Sequence, residues 1–202
     1  MKELLIIGAS GHGKVVADIA RLNGYGHIAF LDDNADLKEC GAYPVIGKSC
    51  DFDKKPGDLF VAIGNAVVRQ KLLEAAENAN RHIPILVHPN ATVAQNATFG
   101  KGTVVMAGAV INSDTQIGKG CIINTSASVD HDCVLGDYVH VSVDAHLAGT
   151  VMVGVRTWIG IGAVVSNNLV ITSDCMIGAG AAVIDDLTEC GTYVGVPARR
   201  IK

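Results

Sequence analysis

Aromatic residues and clustered positive charge are scarce in this 202-residue sequence. Only 4% of the residues are aromatic, and there is a single Trp. The net charge is −4 and Lys and Arg form no run, which argues against nucleic acid as a partner. No apolar stretch is long enough to cross a bilayer. The opening residues, MKELLIIGASG, pass directly into a glycine loop, so we expect a first strand there and no signal peptide.

What the sequence does have is a period of six. Between Val87 and Val183 an aliphatic residue, or once Phe99, occupies every sixth position. This period fits neither a helix, at about 3.6 residues per turn, nor an alternating strand, at about 2. It is typical of a solenoid in which each group of six residues forms one side of a triangular coil. Three sides make roughly 18 residues per coil, so residues that far apart should stack about 4.8 Å from each other.

The six cysteines include no Cys-x-x-Cys pair. Cys121, Cys133 and Cys175 each fall four positions after an aliphatic residue of the repeat, where the sequence otherwise has mainly alanine. We therefore predict that they are small core residues and form neither disulfides nor metal sites. A reducing, cytoplasmic location is the expectation that follows.

The first 82 residues lack the period of six and alternate between strand-like and helix-like segments. Apolar patterns predict three strands and two helices there. In chain order these segments are residues 4–7, 14–23, 28–31, 59–63 and 66–79. This order predicts a small Rossmann-like α/β domain with a parallel sheet over residues 1–82, followed by a parallel β-helix with a C-terminal cap over residues 83–202. In such sheets ligands bind beyond the carboxyl ends of the strands.

A glycine loop follows the first predicted strand. Residues 8–14 have the spacing of a Walker A loop, but Val15 replaces the hydroxyl residue that would hold magnesium. The glycines do not match the dinucleotide pattern G-x-G-x-x-G either. A glycine turn at a helix N-terminus still suits an anionic phosphate, and Lys14 adds to that; a turn without a ligand is the alternative. Asp32 and Asp33, at the next strand end, are candidate acceptors for ribose or uracil, or else solvated turn acids.

His131 is the candidate base within the repeat. It lies two positions after Val129, where the chain should reach a corner of the triangle, and Gly149 is one coil later in the same column. A backbone N–H stacked on an imidazole suits an oxyanion donor beside a general base. Asp132 could orient the ring or raise its basicity. The alternative is a surface histidine flanked by Asp130 and Asp132.

Two further histidines lie on the repeats. His140 should stack between Ile122 and Trp158, and His146 falls in a different column. No two repeat histidines share a column, so a zinc site of the three-histidine type would have to form across a subunit interface. Among the remaining histidines, His12 in the glycine loop is the candidate for function.

Several of these motifs together resemble the NeuD/PglD family of sugar acetyltransferases, which are hexapeptide-repeat enzymes with a left-handed β-helix. The resemblance covers nearly the whole chain. It rests on IGASGHGK at 7–14, Asp32-Asp33, Ile63-Gly64-Asn65 with Arg69, NTSASVDHDC at 124–133, HVSV at 140–143 and GVPAR at 195–199.

The resemblance implies roles for individual residues. His131 would be the general base, Asp132 its orienting acid, and the Gly149 amide the oxyanion donor. His140 would lie in the active-site cleft. Acetyl-coenzyme A would contact Gly149 and pass near Ala179, where relatives often have glycine. The nucleotide sugar would be held by Gly11, His12, Gly13, Lys14, Asp32, Asp33, Gly64 and Asn65.

We therefore expect an acetyl-CoA-dependent N-acetyltransferase that acts on the amino group of a UDP-linked sugar by direct transfer, as in a bacillosamine-type pathway. The resemblance also implies a homotrimer with active sites between subunits, and no metal. Three alternatives remain open at this point: O-acetylation of a sialic acid, a zinc-dependent hydratase of the hexapeptide fold, and a non-catalytic trimeric scaffold.

Overall fold

A computed structural model describes residues 2–202, which divide into two compact units. The first ends at Pro89 and the second begins at Asn90, whereas the sequence predicted a boundary after residue 82. Hydrogen bonds explain the difference. The Leu59 N–H donates to the His82 carbonyl at 2.9 Å, and the side-chain amide of Asn23 donates to the Val87 carbonyl at 2.9 Å, which holds this segment in the first unit.

The first unit is a three-stranded parallel sheet with two α-helices, as the alternation of segments predicted. Its elements are β1 (Lys2–Ile7), α1 (Gly11–Leu22), β2 (Tyr25–Leu31), β3 (Glu39–Cys40), β4 (Tyr43–Pro44), a 3-10 helix (Ser49–Lys54), β5 (Asp58–Val61), α2 (Ala66–Asn78) and β6 (Leu86–Val87). Strand β1 lies between β2 and β5, and β3 and β4 form a separate antiparallel pair. The loops that follow β1, β2 and β5 therefore leave the sheet at one edge.

Helix α1 begins at Gly11 and not at Lys14 as predicted. The Lys14 N–H donates to the Ser10 carbonyl at 3.0 Å, which closes the first helical turn over the glycines. Amides in a first turn need no partner within the helix, so glycine is tolerated there. The glycine loop proper is reduced to residues 8–10.

Apolar residues predict a buried face of α2 formed by Val67, Val68, Leu72 and Leu73, and the structure confirms it fully only at Leu73. Val67 and Val68 are 65% and 45% exposed, whereas Arg69, Leu73 and Ala76 are buried. The buried residues are four and then three positions apart, as on one face of a helix. The first of them is Arg69, a charged residue that a hydrophobicity pattern does not count as part of a buried face.

The second unit is a parallel β-solenoid with three sheets, here called faces A, B and C. Face A has strands β7 (Thr92–Val93), β10 (Val110–Ile111), β13 (Ser128–Val129), β16 (His146–Leu147), β19 (Val164–Val165) and β22 (Ala182–Val183). Face B has strands β8 (Thr98–Phe99), β11 (Gln116–Ile117), β14 (Val134–Leu135), β17 (Met152–Val153) and β20 (Val170–Ile171). Face C has strands β9 (Val104–Val105), β12 (Ile122–Ile123), β15 (His140–Val141), β18 (Trp158–Ile159), β21 (Cys175–Ile177), β23 (Gly191–Val194) and β24 (Arg199–Arg200).

The register confirms the 18-residue stacking rule. Val129 pairs with Leu147, and His140 pairs with both Ile122 and Trp158. From Val105 onward, every aliphatic residue of the period is buried. Cys121, Cys133 and Cys175 are buried, as predicted for small core residues. Many corners have a residue of positive φ, for which Asn, Asp and Gly are favoured.

The C-terminal tail closes the end of the solenoid. Strand β23 pairs in parallel with β21, and β24 turns back antiparallel onto β23. This hairpin covers the edge of face C, which would otherwise present unpaired backbone groups.

Candidate active site

The imidazole of His131 lies directly against the backbone of Gly149. His131 follows β13 at the corner between faces A and B, and the Thr150 N–H donates to its carbonyl at 2.8 Å, which joins the two coils. A β-carbon at position 149 would lie 2.6 Å from both Cε1 and Nε2 of the ring. Only glycine therefore allows the imidazole to occupy this place.

Two carboxylates support His131. Its Nδ1 lies 2.7 Å from Oδ2 of Asp132, which has a φ of 58°. Its backbone N–H donates to Asp130 at 2.8 Å, and the same oxygen accepts from the Asn112 side chain at 2.7 Å. The hydrogen bond to Asp132, and then the charge of Asp130, raise the pKa of His131 above its ordinary value.

The tautomer of His131 follows from this contact. A carboxylate can only accept, so the proton of the neutral ring lies on Nδ1, toward Asp132. The lone pair is then on Nε2, the atom nearest Gly149 together with Cε1. The Gly149 carbonyl accepts from the Asn168 N–H, and within residues 2–202 the Gly149 N–H donates to no backbone carbonyl. A proton acceptor and an N–H donor thus lie side by side.

His140 is not near this corner in the same chain. It lies on the outward side of face C, between Ile122 and Trp158, and its ring stacks on the indole with centroids 5.4 Å apart and 7° between the planes. The Asn124 amide lies 3.1 Å from its Nε2. Face C is the side of the triangle opposite the corner between faces A and B. One chain therefore cannot bring His131 and His140 into one site.

His146 lies on face A, adjacent to the corner of His131 but in its own cluster. Its Nδ1 is 2.8 Å from the Ser128 hydroxyl, and its Nε2 is 3.4 Å from Asp144. Ala179 is an exposed residue of the corner between faces C and A. No group of three or more His, Cys, Asp or Glu in residues 2–202 is arranged to hold a metal ion.

The glycine loop borders an open cleft of about 410 Å³ in the first unit. Ser10, Gly11 and Lys14 line one side of it, and Cys40 lies on the other. Ser10 makes no side-chain capping bond to α1, and no acidic residue lies in its first turn. The exposed helix N-terminus and Lys14 present positive potential to the cleft, against one negative charge from Glu39 in its lining.

The predicted acidic residues are engaged by the backbone. Asp32 accepts from the Ala9 N–H at 2.8 Å and the Asn34 N–H at 2.9 Å, so it ties the glycine loop to the end of β2. Asp33 accepts from the Ser49 N–H at 2.9 Å. Both carboxylates therefore order loops at the carboxyl edge of the sheet.

The other predicted binding residues differ in accessibility. Gly13 is buried, and a β-carbon there would lie 2.1 Å from the Gly8 carbonyl oxygen, so its role is close packing. Gly64 is exposed with open space around its α-carbon. Asn65 caps α2, accepting from the Val68 N–H at 3.0 Å.

Comparison with known proteins identifies the family. Residues 3–76 match the PglD N-terminal domain. The acetyltransferase domain of PglB from Neisseria gonorrhoeae, solved with acetyl-coenzyme A, is 40% identical, with 99% of each chain covered and a TM-score of 0.96. The chain belongs to the NeuD/PglD-like family of sugar acetyltransferases.

Two further relatives of this NeuD/PglD-like chain have named sugar substrates. PerB from Caulobacter crescentus, solved with CoA and GDP-perosamine, is 37% identical, with 100% of this chain and 98% of that chain covered and a TM-score of 0.94. The UDP-N-acetylbacillosamine N-acetyltransferase of Bacillus subtilis is 39% identical over 113 residues. That alignment covers 53% of this chain and 52% of the relative, so the chain spans about half the length of the curated relative it matches.

Sequence reasoning about this family member missed two supporting interactions. The bond between Asn112 and Asp130, 18 positions apart, could have been found by the same count that linked His131 to Gly149. Arg69 entered only as part of the resemblance, yet it is 1% exposed and binds backbone carbonyls beside the glycine loop. No periodic signal marks that contact.

Proposed function

We propose that the chain is an acetyl-CoA-dependent N-acetyltransferase acting on the amino group of a UDP-linked sugar. The observation that carries this proposal is the contact of the His131 imidazole with Gly149, oriented by Asp132. Relatives solved with acetyl-coenzyme A, or with CoA and a nucleotide sugar, support the choice of donor and acceptor class. A trimeric scaffold without activity would need neither the glycine nor the oriented ring.

The proposed reaction is direct transfer. The sugar amine attacks the thioester carbonyl, forming the C–N bond, while Nε2 of His131 takes a proton from the nitrogen. The Gly149 N–H stabilises the negative charge on the carbonyl oxygen of the tetrahedral intermediate. The C–S bond then breaks, and the proton passes from His131 to the leaving thiolate. No covalent acyl-enzyme is required.

We place the nucleotide of the acceptor at the cleft beside the glycine loop. The N-terminus of α1 and Lys14 supply positive potential for a diphosphate, and Gly11 has open space at its α-carbon. Asp32 and Asp33 order the adjoining loops, and Gly64 and Asn65 immediately precede α2 at the same edge. A free sialic acid would leave this phosphate site unused, so the geometry favours the nucleotide-linked amine over O-acetylation.

We further propose a homotrimer with active sites between subunits. The separation of His131 and His140 on opposite sides of the solenoid supports this, since both can serve one site only if two chains contribute. Val134, Met152 and Val170 form an exposed apolar row on face B, which suits burial against another copy. Coenzyme would contact Gly149 of one chain and the region of Ala179.

The location of the protein is also a proposal. All six cysteines are free thiols, which fits a reducing cytoplasm. No helix of residues 2–202 has the length and apolar character needed to span a membrane.

The experiment that tests the activity is an acetyl-CoA consumption assay with UDP- and GDP-linked amino sugars and with sialic acids. We expect turnover with a UDP-linked amine and an amide product by mass spectrometry. Turnover of sialic acids alone would establish the O-acetyl alternative. Stoichiometric zinc in the purified protein, together with hydration of a test substrate, would establish the hydratase.

The base is tested separately by His131→Ala. We expect kcat to fall by about 10²–10⁴-fold, with acetyl-CoA affinity nearly retained. Turnover close to that of the unmodified protein would remove His131 from the mechanism.

A further inference from the structure

Two loops of the first unit meet beneath the proposed nucleotide site. Strands β1 and β5 are parallel neighbours, so the loops after them leave the sheet side by side and lead into α1 and α2. They are in close contact: a β-carbon on Gly8 would lie 2.7 Å from the Ala62 carbonyl oxygen and 2.7 Å from the Ile63 side chain. A displacement of either loop would therefore force the other loop to move.

Arg69 closes the second of these loops from within. It lies in the first turn of α2 and is 1% exposed. Its Nη1 donates to the Ile63 carbonyl at 2.8 Å and to the Gly64 carbonyl at 2.7 Å. A cation in the first turn of a helix is unfavourable for the helix dipole, so helix stability does not account for an arginine at this position. The two carbonyl bonds, which fix the course of the chain at residues 63–64, do account for it.

On the side of the first loop, His12 is near enough to Arg69 for the guanidinium charge to act on its ring. It is in the first turn of α1, and its Nε2 is buried with no hydrogen-bond partner in residues 2–202. Burial, and then the charge of Arg69, lower the pKa of His12 to about 4, so the ring is neutral at pH 7. An unpaired buried nitrogen beside a buried cation is costly, and such groups are concentrated where ligand binding outweighs stability.

We infer that Arg69 and His12 form a positioning pair, in which Arg69 fixes the loop before α2 and thereby the shape of the diphosphate site. The inference rests on the proposed function. It changes the role of His12, which acts on the site through Arg69 and not by direct contact with the ligand. Arg69 adds one buried positive charge in the first turn of α2, which suits an anionic ligand such as a diphosphate.

Binding measurements on variants test the pair, with UDP as the probe. Arg69→Met keeps much of the aliphatic stem but removes the charge and both carbonyl bonds, and Arg69→Lys keeps the charge alone. We expect Arg69→Met to raise the Kd for UDP and the KM for the acceptor by at least about tenfold, with kcat at saturating acceptor and acetyl-CoA affinity within about twofold. Arg69→Lys should recover only part of the affinity, since lysine cannot reproduce the arginine fork.

Arg81→Met is the matched control. Arg81 also donates to two backbone carbonyls, those of Phe52 and Gly57, but it follows α2, and Gly57 precedes β5 at the opposite edge of the sheet. This variant should lose stability without losing UDP affinity. Equal losses of UDP affinity in both arginine variants would mean that general destabilisation is the cause, and would overturn the inference.

The pKa of His12 is a second measurement, and it would not change if Arg69 only stabilised the fold. In nuclear magnetic resonance spectra of the whole chain, we expect the pKa of His12 to rise in Arg69→Met, but to remain below 6.5 because burial is the larger cause. An unchanged titration would overturn the pairing. If the unmodified protein binds neither UDP nor GDP, the proposed acceptor site fails; if it binds UDP and Arg69→Met binds equally well, only the positioning pair fails.

Discussion

His131 and Gly149, one coil apart in sequence, are stacked so closely that a β-carbon at position 149 would lie 2.6 Å from Cε1 and Nε2 of the imidazole. The ring occupies the volume that any side chain at 149 would need. Because Asp132, the next residue at the same corner, accepts from Nδ1, this hydrogen bond fixes which nitrogen faces the glycine. The orientation of the imidazole is therefore fixed by close packing against Gly149 on one side of the ring and by the hydrogen bond to Asp132 on the other.

The first prediction concerns Gly149→Ala. The added methyl would displace the imidazole, whose side chain is 57% exposed and can move into solvent, so we expect a loss of most of kcat with a destabilisation of no more than about 1 kcal/mol. Thermal unfolding of Gly149→Ala should show a smaller loss when His131→Ala is already present, because the ring that causes the clash is gone. Strict additivity of the two stability effects would contradict this explanation.

The second prediction concerns the pH dependence of the reaction. His131 must be unprotonated to act as a base, so its raised pKa moves the acidic limb of the kcat/KM profile to higher pH than an unperturbed histidine would give. Asp132→Asn removes the largest cause of that rise. In Asp132→Asn the acidic limb should therefore move to lower pH, and the plateau value of kcat/KM should fall. An acidic limb at unchanged pH would show that a group other than His131 causes it.

The third prediction addresses the shared site. If His131 of one subunit works with His140 of the next, His131→Ala and His140→Ala should each be weakly active alone but complement each other. Random trimers made by co-refolding equal amounts should recover about one quarter of the sites, since each site needs one intact residue from each neighbour. Activity no greater than the mean of the two variants would rule out a site built in this way.

The fourth prediction concerns the thiols. Cys50 and Cys190 are exposed, whereas the other four cysteines are buried, and burial raises the pKa of the Cys133 and Cys175 thiols. Iodoacetamide applied to the native protein should modify the two exposed residues first, as resolved by peptide mass spectrometry. Modification of Cys133 at a comparable rate would show that the solenoid core opens readily.

The two halves of the chain differ in how far local pattern predicts structure. In the solenoid, contacts are made with the neighbouring coils, so counting 18 residues identified the partners of His131 and His140 correctly. In the α/β unit the same kind of reasoning failed on α2, where exposed Val67 and buried Arg69 reverse the expected order. Burial there depends on which loop a helix faces, and periodicity carries no information about that.

The start of α1 shows the same limit on a smaller scale. Three glycine-loop residues predicted as irregular lie in the first helical turn, since a turn that needs no internal amide partners can form from residues of low helix propensity. The glycines and Lys14 predict that an anionic ligand would suit this loop. The internal engagement of Asp32 by the Ala9 amide was not.

The sequence by itself determined the period of six, the stacking of His131 on Gly149, the small core residues and the order of the two units, because each depends on neighbours at a constant distance along the chain. The tertiary structure alone decided that Arg69 is buried against the carbonyls of Ile63 and Gly64, and that Asp32 accepts from the Ala9 amide. These relationships join segments at no repeated spacing. They arise from packing in three dimensions, where a charged side chain can be buried once backbone carbonyls satisfy it.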